Sequence, residues 1–211
     1  MAELGKQHFR TGHTWIASIA SLVALVFSGY NFAQAQEDPR TVVTMPLTLR
    51  LNRDGEKVSV FVQPTIATRY DTGDVEMVTG MELRLRPPNA GPGPEFFWED
   101  SVRWVATRDP KDYDTIGVWW QFESDPAPFM VTQEEPKQPV MRFSTHGWKD
   151  APGRYDSTLI VRRASTREPI ERAFCLVMDS ADITSLKKPG YDEYRRDVPG
   201  RHGGGCYHRY A

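Results

Sequence analysis

Two cysteines are the first residues with chemistry to offer. Cys175 lies in an apolar, strand-like run, and Cys206 lies in Gly203-Gly204-Gly205-Cys206-Tyr207. In an oxidising compartment such a pair is expected to form a disulfide. The bridge would pin a tail without a core of its own to the domain, and the chain-entropy model values it at roughly 3–4 kcal/mol. The three glycines let the backbone follow whatever path the bridge needs. His202, Cys206 and His208 form the alternative set, a metal site. Their spacing fits no zinc pattern and a fourth ligand is missing, so no metal is expected there.

Three acids, Asp109, Asp112 and Asp114, cluster in one polar loop. Hard oxygen donors on such a loop are candidates for calcium. The loop lacks the full Asp-x-Asp-x-Asp-Gly spacing and the distal Glu, and Asp and Pro are also ordinary turn formers.

The aromatic residues carry a second possible chemistry. Trp98 closes the run Phe96-Phe97-Trp98, Trp119 and Trp120 are adjacent, and Trp148 follows a strand-like run. Neighbouring residues of a strand face opposite sides, so one of Trp119 and Trp120 fills a core. The other is covered, or it offers a ring on which a sugar or a partner can stack. Catalysis has little to stand on. There is no Gly-x-Ser-x-Gly elbow, no His-Glu-x-x-His and no phosphate-binding loop. His146 is the one histidine placed to serve as a hydrolase base. The chain is expected not to be an enzyme and to carry no cofactor.

These residues need a frame, and the N-terminus supplies the first element. From Trp15 to Ala35 there is no charged side chain. A helix over this stretch approaches the hydrocarbon thickness of a bilayer. Lys6 and Arg10 precede it, while Glu37 and Asp38 follow, an order that keeps the N-terminus in the cytoplasm. The expectation is a cytoplasmic N-terminus at 1–14, a transmembrane signal anchor at 15–35, a linker at 36–46, an extracytoplasmic domain at 47–188 and a tail at 189–211. Ala33-Gln34-Ala35 also fits a cleavage site, which would make the domain secreted. In both readings the domain leaves the cytoplasm.

Beyond residue 46 the pattern alternates, as half-buried strands do. Leu47, Leu49 and Leu51 precede Asp54-Gly55, a hairpin turn signal. Val58, Val60 and Val62 return from it. Further strands are predicted over 75–86, 101–107, 115–123, 140–145, 154–163 and 170–178. A short helix begins at Ser180 as its cap. The tail from Tyr191 shows no usable periodicity.

The stretch Asp150-Ala151-Pro152-Gly153-Arg154-Tyr155, entering a strand, resembles the tyrosine corner of immunoglobulin-like domains. Ser157 stands where the second cysteine of that pattern would be. About eight short strands with little helix predict a mainly β chain, an antiparallel β-sandwich of immunoglobulin-like general architecture, with one short C-terminal helix.

A net charge of -2 gives no footprint for nucleic acid. Arginine outnumbers lysine among the 26 basic residues, a bias of GC-rich bacterial genomes. The sequence therefore reads as a binding or interaction module of a bacterial envelope. The membrane is one expected partner, and an envelope protein or a wall polysaccharide gripped by exposed Trp is the other.

Overall fold

A computed structural model of the chain describes residues 4–35, 41–68, 75–88, 93–109, 112–197 and 205–210. Side chains are described throughout these except at 4–14, 16–17, 34–35, 107–109 and 112–116. Helix α1 (Leu4–Ala35) precedes β1 (Thr41–Thr44), β2 (Thr48–Asp54), β3 (Lys57–Val62), β4 (Thr65–Thr68) and β5 (Glu76–Arg86). Then follow β6 (Glu95–Asp109), β7 (Asp112–Ser124), β8 (Phe129–Val131), β9 (Val140–His146), β10 (Gly153–Arg163) and β11 (Ile170–Met178). Helix α2 (Ser180–Leu186), β12 (Asp192–Arg196) and β13 (Cys206–Arg209) complete the order.

The strands do not form a sandwich. They close into a nine-strand barrel in the order β6-β9-β3-β2-β12-β13-β11-β10-β5, with β5 pairing back onto β6. Two features that periodicity does not reveal cause the closure. The tail, which shows no usable periodicity, supplies β12 and β13, which bridge β2 to β11. The chain also returns from the Pro-rich loop to set Glu95–Phe97 beside Glu82–Arg84. Closure removes the sheet edges that a sandwich would leave open. All pairings in the ring are antiparallel except β11 with β13, which is parallel over Cys175↔Cys206 and Leu176↔Tyr207.

The expected transmembrane anchor is not supported either. Among the described residues no helix is long and apolar enough to cross a membrane. In α1 the apolar run is unbroken only from Leu22 to Phe27, between Ser18 and Ser21 on one side and Ser28, Gly29 and Asn31 on the other. Trp15 and all side chains from Ser18 to Ala33 are exposed.

The barrel interior is filled by side chains, as in small barrels generally. Alternate residues point inward: Leu49 and Leu51, Val58, Val60 and Val62, Leu83 and Leu85, Met141 and Phe143, Leu159 and Val161, and Leu176 and Met178. Three tyrosines share this interior, Tyr155, Tyr194 and Tyr207. The tyrosine-corner expectation holds locally: the Tyr155 hydroxyl donates to the Ala151 carbonyl at 2.6 Å and accepts from the Ala151 N–H at 2.8 Å. Burial raises the pKa of all three phenols, that of Tyr207 to about 12. The cap of α2 is Asp179, not Ser180. Its carboxylate accepts from the Asp182 N–H at 2.8 Å, and the Asp182 carboxylate accepts from the Asp179 N–H at 2.9 Å.

Strand β6 is too long for the barrel wall. Its first part pairs with β5 and β9, and the stretch Ser101–Asp109 pairs with β7. Register shifts between Trp98 and Asp100 and between Ser101 and Val102 mark bulges where it changes partner. From there β6 and β7 form a two-stranded arm beside the barrel.

Candidate ligand-binding surface

The arm packs on a row of outward side chains set by strand register. Across β12, β2, β3, β9 and β6 the row reads Glu193, Arg50, Phe61, Arg142, Asp100. Charges close both ends of the row. Arg50 meets Glu193 at 3.2 Å, and Arg142 donates to both Asp100 oxygens, the Nε bond being 2.9 Å. Phe61 points out of the barrel yet is only 2% exposed, because the arm covers it.

The covering residues are Trp104 and Trp120, directly opposed across β6 and β7 and so on one face of the arm. Their rings lie 5.2 and 5.9 Å from that of Phe61. The Arg50 guanidinium sits 4.4 Å from the Trp104 ring and that of Arg142 4.3 Å from the Trp120 ring. Each such contact contributes about 0.5–2 kcal/mol, the upper end when water is excluded. The ring of Tyr191, from the tail, lies 5.3 Å from that of Trp104, tilted by 55°.

Beside this row lies a polar cluster. Lys57 binds Glu99, Arg142 approaches Glu99 at 3.6 Å, and the Ser59 and Ser144 hydroxyls meet at 2.9 Å. Burial pushes the Glu99 carboxyl up, but hydrogen bonds from Lys57 and Ser144 and the Arg142 charge outweigh it, leaving it below the usual value. For Asp100 burial wins over Arg142, and its carboxyl titrates above the usual value.

Two grooves of about 380 Å³ each flank the segment from Lys137 to Val140. The first runs between arm and barrel, with Phe61 as floor and Trp104 as wall. Arg50, Thr48, Gln63, Thr65 and Gln138 line its polar side, and Leu47 and Val140 its apolar side. The second holds Trp98, Phe129, Pro128 and Pro139, with Glu123, Ser124, Asp125 and Gln138 as polar groups. Gln138 belongs to both grooves. The segment between them is fixed by paired backbone bonds of Lys137 with Ile66, both 2.9 Å.

A third groove, of about 720 Å³, lies over β5, β10 and β11. Arg84, Arg86, Arg154 and Arg196 line it with Glu95, Asp156 and Glu171, so its charges nearly cancel. Cys175, bridged to Cys206, forms part of its lining. The expected disulfide is present and joins two residues directly paired between β11 and β13, with Cα atoms 4.4 Å apart.

The four tryptophans singled out from the sequence part company. Trp148 is core, 5% exposed, between Phe96 and Tyr155. Trp120 is held under Arg142. Trp119 is 48% exposed on the opposite face of the arm, its ring stacked 6.4 Å from that of Trp120. Trp98 lines a groove, with its indole N–H donating to the Asp100 carbonyl at 2.9 Å. Trp104 escaped the sequence reading. Its signal was present in the pairing of the two strands around the 108–114 loop, which sets Trp104 against Trp120.

The side chains of Asp109, Asp112 and Asp114, and all of His202, lie outside the described residues. His208 pairs with Asp197 at 3.0 Å. Among the described residues no group of three or more metal-ligating side chains is found. His146 is exposed at the end of β9, in register with Lys57, and lines none of the three grooves. No family model matches the chain, and no curated protein or solved structure is similar to it.

Proposed function

We propose that the protein is an extracytoplasmic binding module, and that its ligand is a glycan lying in the two grooves beside segment 137–140. The carrying observation is the make-up of those grooves. Each places a tryptophan, Trp104 or Trp98, beside amide, hydroxyl or carboxylate side chains within one hollow. That combination suits a sugar, which has apolar ring faces and a rim of hydroxyls. The packed barrel supports the reading by leaving the outer surface as the place for a ligand. The disulfide supports an oxidising compartment and hence export.

The test is binding of the intact protein to a panel of wall polysaccharides and neutral oligosaccharides, by calorimetry and tryptophan fluorescence. At least one should bind. Trp98→Ala, Trp104→Ala and Gln138→Ala should each weaken it tenfold or more, about 1.4 kcal/mol. Gln138 is exposed, so its variant separates loss of binding from loss of the arm. Absence of binding across the panel, or full affinity in all three variants, overturns the reading.

A further inference from the structure

The two grooves beside segment 137–140 differ in charge. No carboxylate lines the groove walled by Trp104, and its charged residue, Arg50, is held by Glu193 at 3.2 Å. The Trp98 groove is acidic. Glu123 and Asp125 line it, and among the described residues neither carboxylate has a hydrogen bond or an ion pair. Lys137 is the basic residue of its lining, and the Glu135 carboxylate binds its ammonium at 2.5 Å. Two carboxylates are thus left without a counter-charge. Ser101 lines the same groove. It is 8% exposed, and its hydroxyl has no hydrogen-bond partner among the described residues. A buried polar group without a partner is costly, so a ligand that satisfies it gains affinity. Trp98 adds no donor, because its indole N–H is spent on the Asp100 carbonyl at 2.9 Å. Its ring stands at 86° to that of Phe129, with centroids 6.4 Å apart, and both line the groove. Aromatic rings attract a cation placed over them.

We propose that the Trp98 groove takes the free ammonium of an amino sugar in the glycan. The inference rests on the glycan reading and narrows it to a polysaccharide that carries unacetylated amino groups. The chemistry matches group by group. A primary ammonium has three N–H donors, and the groove offers three acceptors, Glu123, Asp125 and Ser101. A quaternary ammonium has no N–H to give them. An N-acetyl group is neutral and has a single N–H, and a uronate is repelled by the two acids. Hydrogen bonds to charged groups are the strong ones, so the ammonium supplies selectivity that stacking alone does not. The groove volume of about 380 Å³ lies within the range of small-molecule sites. Gln138, common to both grooves, lies between the amino sugar and a neutral neighbour in the Trp104 groove.

The probes are a glucosamine oligosaccharide and its fully N-acetylated counterpart of the same length and linkage, each titrated into the full chain by calorimetry. The glucosamine form should bind at least about tenfold tighter, and its advantage should shrink as salt rises. Glu123→Gln combined with Asp125→Asn should bring it down to the affinity of the N-acetylated form, whose own binding should not change. Both acids are exposed, so the double variant keeps the fold, which far-ultraviolet circular dichroism checks. Ser101→Ala should weaken the glucosamine form alone. Equal affinity for the two oligosaccharides, tighter binding of the N-acetylated form, or a preference that survives the double variant overturns this inference and leaves the glycan reading standing. Binding of neither oligosaccharide overturns it as well, and the glycan reading falls with it only when the whole polysaccharide panel fails to bind.

Discussion

Reduction of the Cys175–Cys206 bond is the perturbation whose effect can be worked out most fully. The cysteines are 31 positions apart. For that loop the chain-entropy relation gives about 12 cal/mol/K, or about 3.7 kcal/mol near room temperature. That is a large share of the 5–15 kcal/mol by which a domain is ordinarily stable. The location adds a local effect. The bond joins β11 to β13 where the ring is held by only two paired positions, Cys175↔Cys206 and Leu176↔Tyr207. Urea unfolding followed by tryptophan fluorescence, with the bond intact and after reduction, measures the loss. With a slope of about 2 kcal/mol/M the midpoint should fall by about 2 M, and the melting temperature by roughly 7–15 °C. Amide exchange should accelerate first at Cys206–Arg209 and at Leu176. A midpoint change below about 0.3 M with an unchanged slope would refute the reasoning, as would a loss of stability without faster exchange at this seam.

Two further perturbations test the buried groups. Tyr207 titrates at about 12 against an ordinary 10.0 because burial disfavours the phenolate. Its folded-state pKa is the raised one, so its contribution is intact below pH 10 and drains away as the pH climbs towards 12. The full effect is about 3 kcal/mol. Tyr155 and Tyr194 shift in the same direction, so unfolding free energy should fall steeply across that window, and Tyr207→Phe should flatten the slope. A pH-independent stability from 10 to 12 would contradict the burial argument. Arg142→Ala leaves Asp100 buried without its guanidinium and uncovers Trp120, and should cost about 3–5 kcal/mol in chemical denaturation. A cost below about 1 kcal/mol would mean the row does not hold the arm.

Individual strands were legible from alternation, and their assembly was not. The run 170–178 was read with the bounds the structure gives β11, and Asp54-Gly55 turns the hairpin between β2 and β3, with Gly55 at φ 61°. Alternation reports which face of a strand is buried. It does not report how many sheets share that burial, and a filled barrel and a sandwich leave the same trace. The tail strands were hidden for a different reason. Each of β12 and β13 buries one large residue, Tyr194 and Tyr207, and a single inward residue has no period. The arm was legible only in part. Trp119 and Trp120 announced opposite faces, but the partner of Trp120 depends on the register shifts in β6. Phe61 looked like one more residue of an alternating strand, and its burial comes from 40 to 60 positions further along. The disulfide was legible because two cysteines allow one pairing.

The place of β13 in the ring bears on how the chain matures. Every sheet neighbour that β2 and β11 need for closure comes from residues beyond 191, so a nascent chain halted before Cys206 is an open sheet. Until that strand docks, β11 offers a bare edge, and the valine- and leucine-rich interior is accessible from one side. Such edges recruit other chains. Closure also joins segments far apart in sequence, which slows folding. Escort by a holding chaperone, and oxidation only after β13 has docked, would suit this order of events better than unaided folding during synthesis.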